Sequence, residues 1–156
     1  MGKQRITRGA AVVDGLVNGK VEYKNLRIPL LYVGTTGYID TGVDLPVPCI
    51  VRKAYLDVNT LEATASSKLA SAGIVGGTST AGFLNGVSTA SAGPVAGAMV
   101  ASGRTMGTLF IEGSAASQFF VKEAVFLAGA TADIGYQLAS AHTELSADLV
   151  LEIIKL

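Results

Sequence analysis

The chain has 156 residues, no formal net charge, 15% charged and 49% hydrophobic residues, and 19 glycines. That length suits one domain with a substantial core, and so apolar a composition excludes an intrinsically disordered chain. Zero net charge argues against a nucleic-acid binder, and no run of about 18 consecutive apolar residues is present to cross a membrane as a helix.

Charge is unevenly placed from the start of the chain. Residues 1–27 hold Lys3, Arg5, Arg8, Lys20, Lys24 and Arg27 against Asp14 and Glu22, a net +4, so the remainder sums to −4. No charged stretch followed by an apolar run and a cleavage site opens the sequence, so no secretory leader is expected. Asn18-Gly19 between Val17 and Lys20 is the dipeptide of a type I′ hairpin turn and predicts a short β-ribbon. Residues 1–31 are therefore expected to be an arm, either a solvated tail or a segment that docks on an acidic neighbour, and residues 32–156 a single β-rich domain.

Tyr38-Ile39-Asp40-Thr41-Gly42 contains the Asp-Thr-Gly string of retroviral-type aspartic proteases, in which two carboxylates share a proton and activate water. The same string also makes an ordinary loop. Val43 stands where that family has a small residue, and Leu45-Pro46-Val47-Pro48 enforces an extended segment. Beyond it, Ala54, Leu56 and Val58 alternate with Lys53, Tyr55 and Asp57, the period of a half-buried strand, and Cys49 at its start reads as a small buried hydrophobe.

From Leu69 to Gly103 there are 35 residues without a charge, built of Gly, Ala, Ser and Thr around isolated apolar side chains. Glycine recurs there too often for a helix, so short strands and tight turns are expected. Exposed to water, such a segment has no charged gatekeepers, and burial in an assembly would protect it. Phe119 to Leu127 suits either a strand or a helix, and its β-branched and aromatic content favours the strand. Ala132, Ile134, Tyr136 and Leu138 alternate with Asp133, Gly135 and Gln137. His142, in Ala-Ser-Ala-His-Thr-Glu, is expected at the surface. Ala147, Leu149, Leu151 and Ile153 mark a final strand whose other face carries Val150 and Ile154, so it belongs inside a sandwich or under a partner.

Catalytic and cofactor motifs fail on composition and spacing. A single cysteine and a single histidine leave no disulfide framework, multi-cysteine zinc site or paired-histidine metal site. Gly15 and Gly19-Lys20 lie too close for a phosphate loop, and Val21 replaces its hydroxyl residue. No Gly-x-Ser-x-Gly elbow exists. The expectation is a protein that is not an enzyme, with no catalytic residues, metal or cofactor.

Several segments carry a family resemblance. They run Leu45-Pro46-Val47-Pro48-Cys49-Ile50-Val51, Ala54 through Thr64, Ser67-Lys68-Leu69, Ala72-Gly73-Ile74, Ala81 through Ala90, Ala92-Gly93-Pro94-Val95, Thr105 through Leu109 and Leu149 through Ile153. This order of strands and glycine turns, over roughly two thirds of the chain, resembles the β-rich head decoration (cement) proteins of tailed bacteriophages. Thr80-Ala81-Gly82 departs from it by lacking an acidic residue in the turn before Phe83.

The resemblance implies an all-β, sandwich- or barrel-like domain (β-tulip or jelly-roll-like) with an extended N-terminal arm. It implies a homotrimer, with a dimer as the second choice, on the outside of an icosahedral capsid, stapling neighbouring major capsid protein subunits, with no nucleic acid or membrane as partner. It places the protein in the virion after synthesis in the host cytoplasm. On that reading Arg5, Arg8, Lys20, Lys24 and Arg27 meet acidic capsid surface, while Phe83, Leu84, Val87, Val95, Leu149, Leu151 and Ile153 form the oligomer interface. A receptor- or polysaccharide-binding virion module is the alternative and requires Tyr38, Tyr55 and Tyr136 to converge. The aspartic protease through Asp40-Thr41-Gly42 is the third reading.

Overall fold

A computed structural model describes residues 22–76, 80–100, 103–115, 118–129 and 132–156. Among these residues strands dominate, and the only helical element is one 3-10 turn over Thr108–Phe110. No helix there is long and apolar enough to cross a membrane. In chain order the strands are β1 (Glu22–Pro29), β2 (Ile39–Asp44), β3 (Cys49–Thr60), β4 (Leu69–Ile74), β5 (Leu84–Ser88) and β6 (Gly93–Ala96). They continue with β7 (Met99–Val100), β8 (Gly103–Arg104), β9 (Ile111–Ala115), β10 (Gln118–Val121), β11 (Val125–Leu127), β12 (Asp133–Leu138) and β13 (Ser146–Lys155).

Two antiparallel sheets share one core, the sandwich-like all-β class that the alternating segments predict. The larger sheet runs β1-β13-β3-β11, with β6 also paired to β3; the smaller runs β2-β12-β4-β5. Period-two burial faces the two sheets toward each other. Ala54, Leu56 and Val58 of β3 and Ala147, Leu149, Leu151 and Ile153 of β13 meet Ala70, Ala72, Leu84, Val87, Ile134, Tyr136 and Leu138 of the smaller sheet. Cys49 is fully buried at the head of β3.

The expected arm of residues 1–31 divides. Residues 1–21, with the Asn18-Gly19 turn, lie outside the described residues, whereas residues 22–29 are the edge strand of the larger sheet, in register with β13. Leu26 and Ile28 hold that strand in place, because they sit at alternate positions opposite Leu151 and Leu149 and pack on the core. The expected strand over 119–127 is two strands, β10 and β11. Lys122 between them turns its N–H back to the Phe110 carbonyl, ending one pairing before the next begins. The charge-free stretch contains β4 to β7 and the first residue of β8, all short, as its glycine content requires.

Candidate functional site

Of the five basic residues expected to meet a capsid, Arg5, Arg8 and Lys20 lie outside the described residues. Lys24 is exposed on β1, 3.9 Å from the Glu22 carboxylate. Arg27 is already engaged. Its guanidinium bonds Asp57, and also Asp148 at 3.2 Å. Asp57 and Asp148 face each other directly across β3 and β13, so Arg27 lies over a cross-strand pair of like charges that would otherwise repel. That is the physical reason it is not a free docking cation.

The residues expected to form an oligomer interface also sit elsewhere. Phe83, Leu84, Val87, Leu149, Leu151 and Ile153 are each no more than 2% exposed within the single chain. They are its core, and a side chain so enclosed has no surface left to offer a partner. Val95 on β6 is half-buried against the same core. Exposed apolar side chains remain at several places, Leu31 and Tyr32 after β1 among them, and one continuous row lies on the outer face of the larger sheet. There Phe126, Ile50, Ile154 and Tyr23 are successive cross-strand neighbours over β11, β3, β13 and β1. Phe126 is 61% and Tyr23 73% exposed, giving an apolar row across the full width of the sheet. Below this row a bulge on β3 opposite Glu152 and Ile153 turns Arg52 and Lys53 both toward solvent.

Asp40-Thr41-Gly42 lies within the edge strand β2 rather than in a loop between strands. The Asp40 carboxylate accepts the Gly42 N–H at 2.8 Å, and Gly42 adopts φ +72, the left-handed conformation that glycine tolerates. The Thr41 hydroxyl donates to the Ile134 carbonyl at 2.6 Å. Together these contacts form a β-bulge opposite Ile134 and Gly135. Asp44 and Asp133 are cross-strand partners, and the Asp44 carboxylate, with Asp40 farther off, pushes the Asp133 carboxyl above its ordinary value. No basic side chain forms an ion pair with these three carboxylates among the described residues.

The most elaborate polar site is buried and was not legible in the sequence. Glu62, fully enclosed after β3, accepts N–H bonds from Thr64 (3.0 Å) and Ala65 (2.9 Å) on one oxygen. Its other oxygen accepts those of Thr143 (2.8 Å) and Glu144 (2.9 Å). These donors, Glu144 foremost, outweigh desolvation and hold the carboxyl well below the usual range. The carboxylate thus clasps the loop leaving β3 to the loop entering β13.

His142, expected at the surface, is 1% exposed beside this clasp. Its Nδ1 donates to the Ser140 carbonyl at 2.7 Å, which leaves Nε2 to accept the Thr89 hydroxyl at 2.8 Å in the neutral ring. Its backbone N–H reaches the Val33 carbonyl at 2.7 Å. The polar neighbours that made it read as a surface turn are the groups that satisfy it inside. Glu-x-Thr is a local turn signal, but partners some 80 residues away leave no trace in the sequence.

Two of the three tyrosines are near one another and the third is not. Tyr136 is 2% exposed, its hydroxyl accepting the Tyr32 N–H at 2.8 Å. Tyr38 donates to the Thr80 carbonyl at 3.1 Å, and burial pushes its hydroxyl pKa up to about 12. Tyr55 lies on the other sheet. A groove of about 530 Å³ opens where the edges of the two sheets, β1 and β2, fail to meet. Ile28, Leu31, Tyr32, Ile39, Val43 and Tyr136 line it, with Asp40 among them. No family model, curated protein or solved structure matches the chain.

Proposed function

We propose that the protein is a virion structural protein that binds the outer surface of an icosahedral phage capsid as a homo-oligomer and cements neighbouring capsid subunits. The carrying observation is charge segregation, a +3 segment over residues 1–21 that leads into the edge strand β1 of a body of −3. The resemblance to head decoration proteins gives that segregation its context. A basic segment attached to a sparsely charged body suits fastening to an acidic surface, and many copies on one shell add avidity.

The buried polar groups support a structural role. Backbone N–H groups satisfy the Glu62 carboxylate, and Thr89 and His142 satisfy each other, which stiffens the loops at one end of the sandwich. Because Arg27 is engaged within the protomer, the docking bases are Arg5, Arg8 and Lys20, with Lys24 at the margin. The self-association surface is the exposed row Tyr23, Ile154, Ile50 and Phe126 rather than the residues of the core.

The test is co-sedimentation with expanded, genome-free heads of the cognate phage. The full chain should bind saturably and raise the temperature at which heads rupture. A variant lacking residues 1–21, which keeps β1, should retain the thermal transition of the fold and lose attachment. Undiminished attachment of that variant, or attachment of the full chain unchanged in 1 M salt, overturns the basic-segment reading.

A further inference from the structure

β13 pairs with β3 from end to end on one side, but the other side of β3 is divided between two short strands. β11 takes Cys49 to Val51, and β6 takes Tyr55 to Val58. Among the described residues no strand pairs with Arg52, Lys53 and Ala54 on that side, which leaves a window in the larger sheet. Backbone contacts fix both borders. Just past β6, Gly97 packs so closely on the Met106 backbone that a Cβ would overlap it, and Ala98 and Thr105 then bond each other in both directions. At the other border the Lys122 N–H is tied to the Phe110 carbonyl.

The window opens on a pocket of about 210 Å³, lined from the core by Phe83, Met106 and Phe110 and also by Arg52, Lys53 and Lys122. The bulge opposite Glu152 sets the first two bases side by side, and all three are exposed. The ion pairs of the described residues use Lys24, Arg27 and Lys155, and none of these three bases. Glu152 stands across the ladder from Lys53, yet it forms no ion pair with it and does not line the pocket. Three like charges around an apolar opening repel one another. An occupant with carboxylates on either side of one apolar side chain relieves that repulsion and covers the apolar lining together. A phosphate or a nucleic acid would answer the charges alone. The free edge is shorter than the roughly five residues of a usual strand, so the occupant enters as a loop tip rather than as an added strand.

We infer that this window is a docking site for an acidic loop of a partner protein, with one large apolar side chain at the loop's tip. The inference rests on the capsid reading for the partner's identity alone. There the loop belongs to a capsid subunit, and the window gives the body of the protein a contact of its own beside the basic segment.

The test uses the isotope-labelled full chain and the blocked peptide Asp-Glu-Leu-Asp-Glu. Amide resonances of Arg52, Lys53, Ala54, Gly97 and Lys122 should shift saturably. A peptide with serine for leucine, or with lysines for the acids, should move them far less. In Lys53→Glu/Lys122→Glu binding should weaken by about tenfold or more, and the thermal transition should persist because both side chains are exposed. If that variant melts early, Lys53→Gln/Lys122→Gln carries the comparison. Equal binding of the leucine and serine peptides overturns the docking site, as do shifts spread evenly over Lys24, Lys68 and Lys155. Inorganic phosphate or oligothymidine that moves the window resonances more than the leucine peptide also overturns it. The same shifts on raising protein concentration without peptide do so too, and identify a second copy as the occupant.

Co-sedimentation with expanded heads separates the window from the capsid reading. If the full chain binds heads and Lys53→Glu/Lys122→Glu binds them undiminished, the window is overturned as a capsid contact. If the full chain ignores heads but takes the leucine peptide at the window, the capsid reading falls and the docking site stands.

Discussion

Single residues at this fold's junctions act through what surrounds them. Glu62 is a carboxylate caged by four backbone N–H groups, a geometry that favours the ionised form. A depressed folded pKa means that Glu62 contributes stability in full above its ordinary value of 4.5, and loses it as pH falls toward the folded value. Thermal melts from pH 7 downward should therefore show a fall in Tm beginning below about pH 4.5 that is blunted in Glu62→Gln. At pH 7 the same substitution points an amide NH₂ at N–H donors and should lower Tm by roughly 5 °C or more.

Gly107 makes the complementary case, where space rather than charge decides. Its backbone is ordinary extended chain, but an added Cβ would overlap the Gly82 carbonyl and the Phe83 backbone. Gly107→Ala should destabilise by about 3 kcal/mol or more in urea unfolding, whereas Gly34→Ala, with open space around it, should be near neutral.

At the scale of elements, the pairing of β3 with β13 organises the molecule. It is the longest ladder, it carries most of the core face of the larger sheet, and its loops are the two that Glu62 joins. Its weak point is the Asp57–Asp148 pair, bridged from β1 by Arg27. The bridge is partly solvent-exposed, so Arg27→Ala should cost no more than about 1 kcal/mol. That loss should shrink in 1 M salt, because salt screens the repulsion between the two carboxylates. A loss unchanged by salt would assign the effect to packing of the arginine stem instead.

The elements also show how far the sequence could be read. β3, β12 and β13 were legible because alternation at period two survives wherever one sheet face is buried and the other is not. Gly135 interrupts that alternation without exposing the strand, because the Tyr38 ring fills the space above it. β1 was read as part of an arm because only Leu26 and Ile28 among its residues turn apolar side chains to the core, too few to stand out among charges.

For the whole molecule, the sparse charge that suggests assembly and the surface that would carry it are separate matters. Phe83, Leu84 and Val87 of the charge-free segment pack within their own protomer, while Tyr23, Ile154, Ile50 and Phe126 form an apolar row on the outer face of the larger sheet. If that row joins protomers, Phe126→Lys should reduce the mass measured by analytical ultracentrifugation to that of a single chain and leave the Tm of the fold almost unchanged. A mass that does not move would place the contacts elsewhere. Binding to heads should fall with it, because losing oligomerisation removes avidity even where the basic segment is intact.

The sequence by itself determined the all-β class, the strands with clean alternation, the burial of Cys49 and the segregation of charge, because each is set by local composition or by a period within a few residues. Only the tertiary structure decided that Phe83, Leu84 and Val87 face inward, that Arg27 bridges two aspartates, and that Glu62 and His142 are interior groups. An apolar side chain is equally suited to a core and to an interface, and a charged one to water and to a clasp. The choice between them rests on register and on partners far away in the chain, which come together only when the sheets pair and close on one another.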